Sequence, residues 1–266
     1  MAVQLHADDL GLHPAVDRAI FRAFEAGALG GASILATGPT FREAARQARS
    51  IGLPLALHLA IVDTAPLSPP TEVPSLLGSD SRFPPYPWPV IWRSLYGGLR
   101  RAELRLELGR QLQTFAEAGL ISQPGLVVDG HQHLHLLPMV FETVLGFTIE
   151  YGIVAFRLPL RSPHELRQRR FRSFAFAGVE ALGRRASRLA ARRAITPVRC
   201  WGVLCAGHLT LQAARCVLSS LPSGADGQLL CHPGDDDRAL AAVRPWGYEW
   251  ETELATALAL ASESRP

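Results

Sequence analysis

Short apolar segments alternate with amphipathic helical segments along this whole chain, and few folds accommodate that rhythm. Strands are expected over Val3 to Ala7, Ala32 to Thr37, Leu53 to Leu59, Gly125 to Asp129, Ile153 to Leu158, Cys200 to Cys205 and Gln228 to Cys231. The first helix runs from Pro14 through Val16, Ile20 and Phe24 to a stop at Gly27. Others are expected over Phe41 to Ser50, Ala102 to Ala118, Pro138 to Tyr151, Leu211 to Leu221 and Trp250 to Ala261. Repeated βα units predict an α/β fold with a parallel sheet and helices outside it. About seven such strands favour a closed or nearly closed barrel over an open doubly wound sheet, in one domain over residues 1–266. Two segments break the rhythm. Residues 61–97 lack periodicity and are dense in Pro and aromatic rings, and residues 161–196 form an Arg-rich helical insertion. A loop as long as the first is usually functional or poorly ordered.

Composition narrows the chemistry. All 27 basic residues are Arg, because the chain contains no Lys, and it contains no Asn either. That excludes a Schiff-base aldolase, a pyridoxal enzyme, a Walker-type phosphate loop and N-glycosylation. The four cysteines, Cys200, Cys205, Cys216 and Cys231, form no C-x-x-C pair, so they fit buried apolar positions in a reducing compartment. No apolar run reaches the ~20 residues needed to span a bilayer. The N-terminus passes directly into Val3-Gln4-Leu5, which predicts no signal peptide and a cytoplasmic location.

Placed on this frame, the ionisable residues converge. Asp8 and Asp9 end the first strand, His58 the third and Arg157 the fifth, while His131 follows the fourth and His232 the seventh. The carboxyl ends of parallel barrel strands form one face, where the βα loops meet and the active site sits. Each residue alone has a bland reading: Asp-Asp is common in turns and caps, and a lone His58 is more often a satisfied core histidine. Together they suggest a divalent metal. Adjacent aspartates resist joint ionisation unless a cation lies close, and an imidazole in an apolar strand needs a partner. The run His131-Gln132-His133-Leu134-His135, if extended, puts its three histidines on one face. One or two of them, His133 or His135, would line the pocket or support the ligands from behind. One carboxylate and two imidazoles leave coordination positions open for water and substrate, a spare carboxylate can accept a proton, and a further histidine can donate one. Such parts suit hydrolysis of an amide or ester.

In these segments the chain resembles the YdjC-like carbohydrate deacetylases, which include chitooligosaccharide deacetylase and the hopanoid-associated HpnK branch. The matching segments are Ala7-Asp8-Asp9-Leu10-Gly11-Leu12, Leu57-His58-Leu59, Asp129-Gly130-His131-Gln132-His133-Leu134-His135 with Pro138, Phe156-Arg157-Leu158-Pro159 and Cys231-His232-Pro233-Gly234. They follow the family's order over nearly the whole chain, and the set is far more specific than any member of it. The resemblance implies a distorted (β/α) barrel that removes an acetyl group from an N-acetylated sugar or glycolipid. It implies one divalent ion, magnesium or zinc, on Asp9, His58 and His131, with Asp8 as the proton-abstracting aspartate and His232 as the general acid. It also implies that Arg157 orients substrate or polarises Asp8. The chain departs from the family at Leu10, usually Phe, and at Gly130, usually Ser, and neither change removes a ligand. The polar motif expected before the sixth strand is not present in Thr196-Pro197-Val198-Arg199-Cys200-Trp201-Gly202; the Arg-rich insertion and Trp201-Gly202-Val203 are closer to the hopanoid branch.

Two rival readings stay open on the residues alone. One is a metal-dependent phosphoesterase or other hydrolase on the same site. The other is a non-catalytic module whose Arg-rich stretch, including Arg161, Arg167, Arg169, Arg170, Arg172, Arg184, Arg185, Arg188, Arg192 and Arg193, contacts a membrane or nucleic acid. A solvated helical face is the favoured reading of those arginines. No nucleic acid is expected for the deacetylase reading, which leaves a peripheral membrane contact and a homodimer open.

Overall fold

The computed structural model describes residues 3–167 and 171–263, with backbone alone over 171–175. Seven parallel strands close into a barrel in sequence order, β7 pairing back onto β1. The first half of the chain supplies β1 (Gln4–Leu10), α1 (Pro14–Glu25), β2 (Gly31–Ile34), α2 (Phe41–Ile51), β3 (Leu55–Leu59), α3 (Pro87–Leu95) and α4 (Arg101–Glu117). After it come β4 (Leu126–Gly130), α5 (Pro138–Leu145), α6 (Thr148–Tyr151), β5 (Ile153–Pro159), α7 (Pro163–Arg167) and α8 (Phe171–Ala191). The remainder is β6 (Thr196–Trp201), α9 (Leu211–Ser220), β7 (Gln228–Cys231), α10 (Asp237–Val243) and α11 (Trp250–Glu263).

The helices face the barrel with their apolar sides. In α1 the buried positions Val16, Ala19, Ile20 and Ala23 recur at helical spacing, and His13 caps the first turn by accepting from the Ala15 amide. The fully buried Leu104, Leu108, Leu112 and Phe115 of α4 do the same. A seven-stranded barrel is too narrow to be a pore, so its interior fills with side chains. At the mouth end those side chains are polar, and they are the predicted site residues.

The expected elements are altered in four places. The sixth strand lies at Thr196–Trp201, not at Cys200 to Cys205. Its first residues are mostly exposed and read as polar, whereas the apolar run beyond Trp201 packs as a loop in which Val203 and Ala206 are buried beside Phe176. The 61–97 segment is not wholly irregular, because it holds α3, whose two prolines occupy the first turn, where no intrahelical N–H bond is lost. The helix expected over Pro138 to Tyr151 is divided into α5 and α6 at Gly146-Phe147. The run His131–Leu136 is a tight 3-10 turn, not an extended segment, and Gln132 (φ 52°) and His133 (φ 59°) are left-handed. The helical insertion is present as α7 and α8; Arg169 and Arg170 lie outside the described residues, as does the side chain of Arg172. No described helix is long and apolar enough to cross a membrane.

Candidate active site

The site begins with an irregularity in β1. Along a regular strand, neighbouring side chains point to opposite faces, so Asp8 and Asp9 could not both enter the barrel mouth. The pairing of β1 with β2 slips between Ala7 and Leu10, and Asp9 adopts φ 70°. A bulge with one left-handed residue turns the second carboxylate back toward the first. Asp tolerates this conformation better than most residues, at a cost of about 1–3 kcal/mol. Both carboxylates are buried and both face His58. His58 Nε2 lies 3.5 Å from Asp9 Oδ1 and 3.9 Å from Asp8 Oδ2.

His131 arrives from the left-handed turn after β4, with Nδ1 3.0 Å from Asp9 Oδ1. One ligand atom from each of Asp9, His58 and His131 thus falls within 4.8 Å of the other two. His232 follows β7, with Nδ1 3.7 Å from Glu253 on α11 and its backbone amide donating to the same carboxylate. Asp8, Asp9, His58, His131, His133 and His232 share one cleft of about 540 Å³, whose other walls include Tyr86, Trp88, Phe176, Trp246 and Tyr248.

Beneath the cleft a polar network crosses the barrel. Arg157 donates to Asp8 Oδ2 at 2.6 Å and approaches Asp129 Oδ2 at 2.7 Å. It donates also to Ser33 Oγ and to Gln228 Oε1. Ser33 donates to Asp129, whose other oxygen holds His58 Nδ1 at 2.6 Å. That bond fixes the His58 tautomer and leaves Nε2 free to face Asp9. Burial drives the neighbouring His6 down to about 4, with Arg157 adding to the shift, so its neutral ring bonds Ser33 and Gln228.

Charges decide the protonation states. Burial would raise the Asp8 carboxyl, but Arg157 and then His58 overcome it and hold it below the usual carboxylate range. Asp9 is likewise lowered against burial, by His131 and His58. Burial disfavours a charged His58, yet Asp8 and Asp129 raise its pKa. Burial opposes the charge on His232 too, and Glu253 raises it to about 9. Burial lowers His133 to about 3 and His135 to about 4, so both rings are neutral.

Asp8, Asp9, His58, His131 and His232 come together as the sequence placed them, and His133 joins them in the cleft wall. Two residues sit elsewhere. His135 turns away and donates Nε2 to the Arg157 carbonyl at 2.9 Å, an approach that relies on Gly130, where a Cβ would stand 2.8 Å from that of His135. Arg157 is 1% exposed and works beneath the cleft rather than in its wall. Sequence reasoning missed Asp129 as a functional side chain, along with Ser33, Asp63 and Glu253. Asp129 lies in the same run as His131, but its pairing with His58 follows only from the strand register. Glu253 had no sequence signal, since it sits on the last helix far from any motif.

The residues present fit a divalent cation. Carboxylate and imidazole donors converge, and Asp8 Oδ1 and Asp9 Oδ1 are buried without hydrogen-bond partners. Arg157 is engaged by Asp8 and Asp129, so Asp9 meets the cleft with no guanidinium of its own and only imidazoles beside it.

Comparisons with known proteins give the chain's family and fold. The family model described as YdjC-like protein matches residues 2–262. A human carbohydrate deacetylase is 34% identical over 163 residues, 60% of this chain and 49% of that protein. A carbohydrate deacetylase of Geobacillus stearothermophilus is 31% identical over 61% of this chain and 62% of its own length. A chitooligosaccharide deacetylase of Escherichia fergusonii is 30% identical over 66% of this chain and 69% of its own length. The match thus spans about half the length of the human relative. Among solved structures, one described as a putative cellobiose-phosphate cleavage protein of Enterococcus faecalis superposes with a TM-score of 0.68. It shares 20% identity, with 98% of this chain and 94% of that one covered, and shows the fold alone.

Proposed function

This chain belongs to the YdjC-like protein family, and from that premise we propose that it is a metal-dependent hydrolase that removes the acetyl group from an N-acetylated sugar. The observation that carries the reading is the meeting of Asp9, His58 and His131 within 4.8 Å, in a cleft that also presents Asp8 and His232. Those three residues would hold one divalent ion, magnesium or zinc, which supplies Lewis-acid polarisation and lowers the pKa of water.

The chain's own groups do the proton transfers. Asp8, kept ionised by Arg157, accepts a proton as water adds to the acetamide carbon. Its Oδ1 is the free acceptor, because Oδ2 is committed to the guanidinium. His232, held protonated by Glu253, delivers a proton to the sugar nitrogen as the C–N bond breaks, giving acetate and a free amine. His133 is neutral and can exchange hydrogen bonds with substrate without adding charge. The aromatic walls offer faces to a sugar ring.

The cleft wall includes no Arg among the described residues, and Arg157 is already occupied by two carboxylates. A neutral acyl group suits that wall better than a phosphoester dianion. One observation favours a glycolipid over a free oligosaccharide. Tyr86 and Trp88 border the cleft, and their neighbours Trp92, Leu95 and Tyr96 are more than half exposed. Trp and Tyr suit a membrane–water boundary.

Acetate release should be assayed on N-acetylglucosamine oligomers and on an N-acetylglucosaminyl lipid in phosphatidylcholine vesicles, with phosphate release measured alongside. Asp8→Asn is expected to keep the metal and lose turnover by at least ~100-fold, the scale of general-base catalysis. His58→Ala is expected to lower bound metal. Native turnover in Asp8→Asn would remove Asp8 as the base. Trp92→Ala/Tyr96→Ala is expected to reduce kcat/KM on the vesicle substrate alone, and an equal loss on soluble oligomers would refute the glycolipid arm.

A further inference from the structure

His58 has Asp129 behind it and His232 has Glu253, and both carboxylates set the charge and orientation of their imidazoles. His131 shows no such bond. Its Nδ1 faces Asp9, while Nε2, on the far side of the ring, is buried without a hydrogen-bond partner. What Nε2 faces is Asp63, with Oδ2 3.9 Å away and the side chain 10% exposed. A shift of about 1 Å would bring the two to hydrogen-bond distance.

Asp63 is held at an uncommon place in the backbone. Its φ is 64°, and the Thr64 amide bonds the Val62 carbonyl, so the residue sits at the centre of a γ-turn. The surrounding bonds hold that turn: the Asp63 amide donates to Pro84 O at 2.8 Å, and the Thr64 hydroxyl donates to Thr37. From the loop after α10, Arg244 Nε comes within 3.0 Å of Asp63 Oδ2. The same loop lays Trp246 against His131, ring centroids 5.5 Å apart, which shields this side of the imidazole.

We propose that Asp63 is the positioning carboxylate for His131, taking Nε2–H so that Nδ1 is presented to the metal, with Arg244 holding the carboxylate from the loop after α10. The inference rests on the reading of Asp9, His58 and His131 as metal ligands. Carboxylates behind ligating histidines typically contribute 10–100-fold in metal affinity. Asp63 thereby joins the loop after β3 to the loop carrying Trp246 and Tyr248, which line the cleft.

The test is competitive titration of the full-length chain with Zn²⁺ and Co²⁺. Asp63→Ala is expected to weaken both ions by 10–100-fold, and Asp63→Glu to recover part of the loss. In the Zn²⁺-loaded protein, the His131 Nε2–H resonance should exchange slowly with water and should exchange fast in Asp63→Ala. A purely structural role would lower Tm and leave metal Kd and the imidazole resonance unchanged, which overturns the proposal. If Asp63→Ala does not fold, Asp63→Asn keeps the shape without the charge, and native metal affinity in it is equally fatal. A wild-type chain that binds neither ion would instead overturn the ligand reading beneath the proposal.

Discussion

Glu253 illustrates how one side chain sets the chemistry of another. It is fully buried on α11, accepts from the Leu209 and His232 amides, and lies beside the His232 ring. Burial alone would discharge that ring, so its rise to about 9 comes from the carboxylate. The sign follows directly. With a folded pKa above the ordinary 6.5, His232 contributes stability that is complete below 6.5 and is lost as pH rises through about 9. Over the same range the general-acid form disappears. Glu253→Gln is therefore expected to move the alkaline limb of kcat/KM to lower pH, read from a pH–rate profile against wild type. An unmoved limb would remove His232 as the acid. The Gln side chain cannot accept from both amides, so this variant should also melt earlier, and the limb position separates the two effects.

At the scale of elements, the β1–α1 connection decides whether the two aspartates reach the cleft. Asp17 on α1 accepts from the Gly11 amide at 2.7 Å and from Thr40, joining the turn after β1 to the entry of α2. Burial raises its pKa to about 6, against the pull of those hydrogen bonds. The folded state therefore holds this proton more tightly than the unfolded chain, and the Asp17 contribution falls as pH climbs from about 4 to about 6. Asp17→Asn removes that slope. Relative to wild type, its unfolding free energy should rise between pH 4 and 7 by up to roughly 3 kcal/mol, from about two pKa units at 1.36 kcal/mol each. Urea titrations at the two pH values measure it; a constant difference would mean that Asp17 is not the titrating group. Gly11 takes part in the same turn at φ 88°, where a side chain would be strained.

For the whole molecule, a dication held at the barrel mouth by Asp9, His58 and His131 would bind only the folded form and stabilise it. At a hundredfold excess over Kd, such an ion adds about 2.7 kcal/mol. For a chain of this size that corresponds to a Tm increase on the order of 5–10 °C. Differential scanning fluorimetry with Mg²⁺, Zn²⁺ and EDTA reads this, and the increase should vanish in His58→Ala. Equal melting with every addition would count against the cation.

The strand–helix rhythm and the ionisable residues at strand ends follow from local rules of alternation and helical spacing, so the amino-acid order by itself determined a parallel (β/α) barrel and named the carboxylates and imidazoles of the cleft. Elements with exposed or Pro-rich faces escaped those rules, which is why β6 lies earlier than expected and α3 was missed. Tertiary structure alone decided how the residues act. The bulge that brings Asp9 beside Asp8, the left-handed turn that separates His131 from His135, and the placing of Asp63, Asp129 and Glu253 behind three imidazoles depend on partners from other strands and loops. Periodicity describes a residue relative to its own neighbours. Electrostatic partnership depends on distance through space, and closure of the barrel sets those distances.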